Sequence, residues 1–155
     1  ALVYTSMLFL CGLYSANIVL IVSNLLKQVK SQLEFMEMTE HLKMTWRAIM
    51  QDKNHHIIVK KLDGKIVSSC VCVIIPNLTR NIRPYAFIEN VVTHSDYRGK
   101  GYATECLNYA KQIAENTNCY KMMLLTGSKK KEILNFYGNA RYNSTDKTAF
   151  IQWLE

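Results

Sequence analysis

A glycine-bearing turn at residues 98–104 carries the clearest chemical signal in the chain. It follows an apolar extended run and opens a helical pattern. Glycines let a backbone approach a ligand closely, and the unpaired N–H groups of a first helical turn carry the positive end of the helix dipole. Such a turn can bind phosphate groups, and Arg98 and Lys100 add positive charge. The spacing is neither GxxxxGK[ST] nor GxGxxG, which disfavours nucleotide hydrolysis and dinucleotide binding. From residue types alone, a phosphate-binding turn and a plain helix start both remain open.

Hydrophobic periodicity predicts the elements that must hold this turn in place. A strand at 85–93 leads into the turn, and a helix at about 101–116 leaves it. Upstream, Asp63-Gly64 is a strong hairpin signal between two β-rich runs. The other predicted elements are a helical stretch at 24–50 with a break near Thr39, strands at 56–62, 66–75, 119–126 and 149–154, and a short helix at 132–139. This order indicates an α/β (α+β) fold in which a mixed sheet carries helices on its faces.

Length and composition favour one packed domain over residues 1–155. Hydrophobic side chains make up 49% of the 155 residues and charged side chains 20%, as in a globular protein rather than a disordered one. The net charge of +7 suits an anionic partner, whether nucleic acid, an acidic membrane surface or a small polyphosphate. The basic residues form no recognisable nucleic-acid module, and we therefore expect no nucleic-acid partner.

The cysteines predict a reducing environment. There are five, an odd number without a CxxC pair or a metal-like Cys/His spacing, so we expect a cytoplasmic protein without a metal site. Cys70 and Cys72 lie two residues apart in an apolar run, where small thiols on one face of a strand usually pack in a core.

The first 26 residues form an atypical apolar segment without a charged side chain. This length is sufficient to span a bilayer, which needs about 20 apolar residues. Scattered Tyr, Thr, Ser and Asn residues weaken a membrane assignment, and a buried strand followed by a buried helix, broken at Gly12, is the favoured interpretation. A membrane anchor and a dimer interface remain alternatives for residues 1–26.

The turn and a second motif resemble the GNAT superfamily of acetyl-CoA-dependent N-acetyltransferases. Residues 98–103, RGKGYA, match the family's pyrophosphate motif, which is Arg or Gln, two residues, Gly, one residue, and Gly or Ala. Downstream, Asn135-Phe136-Tyr137 resembles the later family helix with its Phe-Tyr pair. The resemblance covers roughly residues 54–153. Within the family, the stretches 88–92, 97–100 and 118–121 look like the glucosamine-phosphate N-acetyltransferase branch and small bacterial relatives.

This resemblance implies a GNAT fold whose mixed central sheet of about six or seven strands splays at a cofactor slot and is flanked by helices on both faces. It also implies acetyl-CoA as cosubstrate, with a strand backbone pairing with the pantetheine arm and the turn's N–H groups holding the pyrophosphate. The cofactor contacts carried over by position are Val91, Val92, Thr93, Arg98, Gly99, Lys100, Gly101, Tyr102, Ala103 and Thr104.

The resemblance implies one catalytic role, and the chemistry of the reaction suggests a second. Tyr137 corresponds to the tyrosine that protonates the departing CoA thiolate, a role that suits a neutral phenol. An attacking amine must lose a proton, and Glu89, on the strand that lines the slot, is the first candidate to accept it. A substrate contact or a structural ion pair is an equal alternative for Glu89. His94 could act through a water, or it could simply be exposed in the turn.

The predicted function is transfer of acetyl from acetyl-CoA to a primary amine of a small molecule. Direct attack is favoured because no nucleophile with an adjacent base is visible. Acetylation of a protein amine and a non-catalytic acyl-CoA-binding regulatory module are the alternatives, and a homodimer is compatible with the resemblance. One departure concerns the helix end after Tyr137, where Arg141-Tyr142 replaces the family's Gly-Phe. Arg is less suited than Gly to the left-handed conformation that often ends a helix.

Overall fold

The computed structural model describes residues 2–4 and 39–154, which form a five-stranded sheet with helices packed on both faces. The strands, in their order across the sheet, are β1 (Leu2–Tyr4), β2 (His55–Leu62), β3 (Lys65–Ile75), β4 (Tyr85–Thr93) and β5 (Met122–Leu124). The helices are α1 (Glu40–Gln51), α2 (Tyr102–Asn116) and α3 (Lys131–Asn139), with a 3-10 helix at Ser95–Tyr97. Neighbouring strands from β1 to β4 are antiparallel, whereas β4 and β5 are parallel. The predicted mixed α/β architecture is confirmed.

The two faces of the sheet bury separate apolar clusters. On one face, Ile58, Cys70 and Ile88 of the sheet pack against Cys106 and Leu107 of α2, and residues of α3 cover the edge of this cluster. On the opposite face, α1 contributes Trp46 and Ile49 to a second cluster, whose sheet residues are Ile57, Val59, Ile66, Val71 and Val92. Alternate strand residues point to opposite faces, so the β-branched runs of β2 and β3 supply both clusters.

The hairpin turn and the two strand cysteines agree with the sequence expectations. Asp63 and Gly64 connect β2 to β3 with positive φ angles of 47° and 78°, as a tight hairpin turn requires. Cys70 and Cys72 are fully buried in the same cluster, which confirms the packing role expected for them.

The predicted break near Thr39 coincides with the start of α1. The Thr39 hydroxyl accepts a hydrogen bond from the Leu42 N–H at 3.2 Å and so caps this helix. Residues 24–38 of the predicted helical stretch lie outside the described residues, as does the apolar segment 1–26 except for residues 2–4. Within the described ranges, no helix is long and apolar enough to cross a membrane.

Two strand predictions near the end of the chain need correction. Residues 149–154 form no strand, and Phe150 and Leu154 are 93% and 92% exposed. An alternating pattern becomes a strand only when a neighbour pairs with its backbone, and no described strand does so here. The strand expected at 119–126 is limited to Met122–Leu124, because the Cys119 N–H bonds the Ala114 carbonyl at the end of α2 instead. The described sheet therefore has five strands rather than six or seven.

Candidate active site

Strand β4 pairs with β3 from Tyr85 to Thr93 but loses its other neighbour, β5, halfway along its length. It pairs with β5 only from Ala86 to Ile88, so residues 89–93 have no described strand on that side. An open strand edge offers backbone N–H and C=O groups to an extended ligand. Glu89, Val91, Val92 and Thr93 lie on this open part of the strand, where the family resemblance implies a cofactor slot.

A β-bulge distorts β4 at the start of this open edge. Val71 of β3 pairs with Glu89 and Ser69 pairs with Val92, so Asn90 and Val91 together face one residue of β3. Asn90 has a φ of 52°, a left-handed conformation that Asn tolerates better than most residues. The bulge was not predicted from the sequence, although an Asn within a β-branched run is the signal that would have suggested it.

The turn after β4 is held by its own side chains. The His94 Nδ1 accepts a hydrogen bond from the Asp96 N–H at 3.3 Å, and its ring lies 5.5 Å from the Tyr97 ring, edge to face. The Arg98 Nε donates to the Thr93 carbonyl at 3.2 Å, and the Lys100 Nζ donates to the Asp96 carbonyl at 3.1 Å. His94 therefore has a structural role in the turn. Arg98 and Lys100, which were expected to add positive charge for a phosphate, also stabilise the backbone of the turn.

The first turn of α2 is open to an anion. Gly101, the residue before the helix, has a φ of 81°, and no side chain caps the helix there. Gly99 has a φ of 72°, and a side chain added at either glycine would meet nothing within 4 Å. The N–H groups at the start of α2, from Tyr102 to Thr104, thus retain the geometry and the partial positive charge that a phosphate group requires. These residues fit the pyrophosphate of a CoA molecule.

Tyr137 lies in the last turn of α3 and packs on the cluster under the open edge. Its ring centroid is 4.9 Å from that of Phe136 and 6.1 Å from that of Tyr142. Burial raises the pKa of the Tyr137 phenol above its ordinary value, with smaller contributions from Cys70 and from the Glu89 carboxylate. The phenol is therefore protonated at neutral pH.

The helix end beside Tyr137 keeps the geometry that the sequence had put in doubt. Arg141 adopts a left-handed conformation with a φ of 68°. The Arg141 N–H bonds the Gly138 carbonyl at 2.9 Å, and the Tyr142 N–H bonds the Tyr137 carbonyl at 3.0 Å. These two bonds form a Schellman motif, the arrangement that a glycine at this position usually makes.

Sequence reasoning missed two features beside the site. The Tyr142 hydroxyl is buried and has no hydrogen-bond partner among the described residues. Lys60 of β2 forms an ion pair with Glu105 in the first turns of α2. No local motif marks either feature, because each depends on contacts between elements far apart in the chain.

Comparison with known proteins places the chain among acetyltransferases. The family model described as the acetyltransferase (GNAT) family matches residues 22–140. A solved structure named "Putative acetyltransferase from Agrobacterium tumefaciens str. C58" is 30% identical, covers 99% of both chains and superposes with a TM-score of 0.83. The glucosamine-6-phosphate N-acetyltransferase of Arabidopsis thaliana shares the fold, with a TM-score of 0.77 at 20% identity, over 100% of this chain and 99% of that one.

A curated relative matches over a shorter region. The glucosamine 6-phosphate N-acetyltransferase of Trypanosoma brucei brucei is 31% identical over 84 residues, which are 54% of this chain. The match spans 55% of that relative's length.

Proposed function

Because this chain belongs to the acetyltransferase (GNAT) family and is an acyltransferase, we propose that it transfers acetyl from acetyl-CoA to a primary amine of a small molecule. The observation that carries the proposal is the joint geometry of β4 and α2. An open strand edge leads directly into an uncapped helix start with two left-handed glycines. An extended thioester arm and its pyrophosphate need these two features in this order.

The proposed cofactor contacts are those that the family resemblance implies, and the geometry of β4 and α2 supports them. The backbone of Val91, Val92 and Thr93 pairs with the pantetheine arm, and the N–H groups of residues 98–104 bind the pyrophosphate. Acetyl-CoA supplies the acetyl group as a thioester. Arg98 and Lys100 serve this site mainly by fixing the turn, because both already bond backbone carbonyls within it.

Tyr137 acts as the general acid. When the amine nitrogen bonds to the acetyl carbon and the C–S bond breaks, the sulfur needs a proton, and the Tyr137 hydroxyl donates it. The raised pKa of Tyr137 keeps this proton in place at neutral pH. Positioned acid catalysis of this kind is typically worth about 10²- to 10⁴-fold in rate.

Glu89 receives the proton that the amine loses. Its side chain is exposed on the open part of β4, the strand that lines the proposed slot. The Glu89 side chain has no ion-pair partner among residues 39–154, which favours the base or substrate-contact role over a structural one.

The first acceptors to test are amino-sugar phosphates. This choice comes from the Trypanosoma relative, whose name specifies glucosamine 6-phosphate. Its match covers about half of each protein, so amino acids, aminoglycosides and polyamines belong in the same panel.

The proposed location of the enzyme is the reducing cytoplasm. The four described cysteines are free, which supports this proposal.

A thiol-release assay with acetyl-CoA and this panel tests the proposal. We expect amine-dependent release of CoA, a fall in kcat of about 100-fold in Tyr137→Phe and little change in the KM for acetyl-CoA. Glu89→Gln should lower kcat more strongly at neutral pH than at high pH, where the free amine is abundant without a base.

Phe136→Leu is the matched control, since it replaces the neighbouring ring and leaves the Tyr137 hydroxyl in place. Acetyl-CoA binding without turnover on any amine would contradict the proposal and favour a binding module. Equal kcat values for the wild type and Tyr137→Phe would remove Tyr137 from the mechanism while leaving the transfer reaction intact.

A further inference from the structure

One ion pair joins strand β2 to the start of helix α2, which carries the proposed cofactor turn. The Lys60 ammonium on β2 contacts the Glu105 carboxylate on α2, 45 residues later in the chain. The other ion pairs among residues 39–154 join side chains within one helix or one turn. The Lys60 side chain is only 16% exposed, so water screens this pair less than it screens the surface pairs.

The pair lies against the turn that we assign to the pyrophosphate. Glu105 follows Thr104 in the first turns of α2, and its N–H makes the first helical hydrogen bond, to the Gly101 carbonyl at 3.0 Å. The Lys60 Nζ is also 5.6 Å from the centroid of the Tyr102 ring, over its face. Lys60 thus contacts two side chains of the helix start that carries the proposed N–H donors.

The sign of the Glu105 charge is unexpected for an anion site. A carboxylate near a helix N-terminus stabilises the free helix by interacting with the dipole. The same carboxylate repels a pyrophosphate held by that helix end. A lysine that neutralises the carboxylate removes the repulsion and keeps the N-terminus available to an anion from outside.

We propose that Lys60 is a positioning residue for the cofactor, and that it acts by neutralising Glu105 and fixing the first turn of α2 against β2. The inference rests on the proposed function, because it assumes that CoA binds at residues 98–104. On this proposal, Lys60 raises the affinity for the cofactor but does not itself contact the phosphates. Glu105 is then the residue through which Lys60 acts.

This assignment predicts opposite signs for the two partners. Lys60→Met keeps the apolar stem and removes the charge, leaving the Glu105 carboxylate uncompensated, so the Kd for CoA should rise about fivefold at low salt. The rise should shrink above 0.1 M salt, where the screening length is about 10 Å. Glu105→Gln leaves the Lys60 ammonium uncompensated and should tighten CoA binding up to about twofold.

The decisive variant is the double substitution Lys60→Met with Glu105→Gln, with CoA binding measured by calorimetry. We expect its Kd to return to within about twofold of the wild-type value. A lysine that binds phosphate directly would give a double variant as weak as Lys60→Met, and that result would overturn the inference. Lys60→Arg keeps the charge and should retain wild-type affinity, which provides a folded control should Lys60→Met be unstable.

Dephospho-CoA identifies the phosphate concerned. It keeps the pyrophosphate and lacks the 3′-phosphate, so the effect of Lys60→Met should persist with this ligand. Loss of the effect with dephospho-CoA would overturn the assignment to the pyrophosphate. A wild-type chain that binds no CoA would contradict the proposed function itself. Equal Kd values for the wild type and Lys60→Met would contradict only this inference.

Discussion

The Tyr142 N–H donates to the Tyr137 carbonyl at 3.0 Å, and the two rings meet edge to face at 6.1 Å and 83°. Tyr142, in the capping motif that follows α3, thus contacts both the backbone and the ring of the proposed acid. Edge-to-face aromatic pairs are worth about 1 kcal/mol beyond their buried area, and the Schellman bonds satisfy carbonyls that a helix end otherwise leaves free. The position of the Tyr137 hydroxyl therefore depends on a capping motif as much as on the helix itself.

Arg141→Gly should stabilise the protein. Arg141 is exposed and has a φ of 68°, a conformation that costs a residue with a side chain about 1 kcal/mol relative to glycine. We expect a rise of about 3 °C in the thermal midpoint, measured by circular dichroism. Arg141→Ala is the control, since it removes the same charge and keeps the strain; an equal gain from both substitutions would show that charge, rather than φ, is responsible.

Tyr142→Phe should raise stability and leave catalysis almost unchanged. Its hydroxyl is buried without a hydrogen-bond partner among the described residues, and an unsatisfied buried polar group costs about 1 kcal/mol or more. The Phe ring preserves the contact with Tyr137. Denaturant unfolding would give the free energy, and the thiol-release assay should give a kcat within about twofold of wild type.

A large loss of kcat in Tyr142→Phe would contradict this prediction. It would mean that the Tyr142 hydroxyl gains a partner when the substrates are bound. Together, Arg141→Gly and Tyr142→Phe restore the Gly-Phe pair that the family commonly has after its Phe-Tyr helix, so the double variant should add the two gains.

Gly101→Ala should weaken CoA binding, whereas Gly127→Ala should not. A methyl group at Gly101 meets nothing within 4 Å, so the penalty comes only from its φ of 81° and is about 1 to 2 kcal/mol. If the helix start shifts to relieve this strain, the Kd for CoA rises about tenfold, because each 1.4 kcal/mol is a factor of ten. Gly127 also has open space but no positive φ, so its substitution is a matched control. Equal Kd values for the two variants would contradict a role for the Gly101 conformation.

The central elements of the fold could be predicted because their signals are local. Asp63-Gly64 marks the hairpin, and the apolar stripe of α2 together with the glycines before it marks the helix and its start. The strand expected at 149–154 was wrong because period-2 alternation says nothing about a pairing partner. The shortening of β5 also depends on a tertiary contact, since the Cys119 N–H bonds the Ala114 carbonyl at the end of α2 instead of a neighbouring strand.

The candidate site was predictable in its parts rather than in its arrangement. The turn and Tyr137 follow from residue types and the family resemblance, and the structure adds that burial raises the pKa of Tyr137. The Asn90 bulge and the Lys60–Glu105 pair could not be read from the sequence, because each depends on the register between β3 and β4 or on the packing of α2 against β2.

Stability should fall as the pH drops below about 6.5, the ordinary pKa of histidine. Burial lowers the pKa of His56, and the neighbouring His55 lowers it further, so in this range the unfolded chain binds more protons than the folded one. The stabilising contribution is fully present above the unfolded pKa and is lost as the pH falls towards the lower folded pKa. Burial shifts the pKa of His55 in the same direction. Unfolding in denaturant at pH 7.5, 6.5 and 5.5 measures the slope, and His56→Gln should reduce it. A slope that is unchanged in His56→Gln would assign the acid sensitivity to other groups.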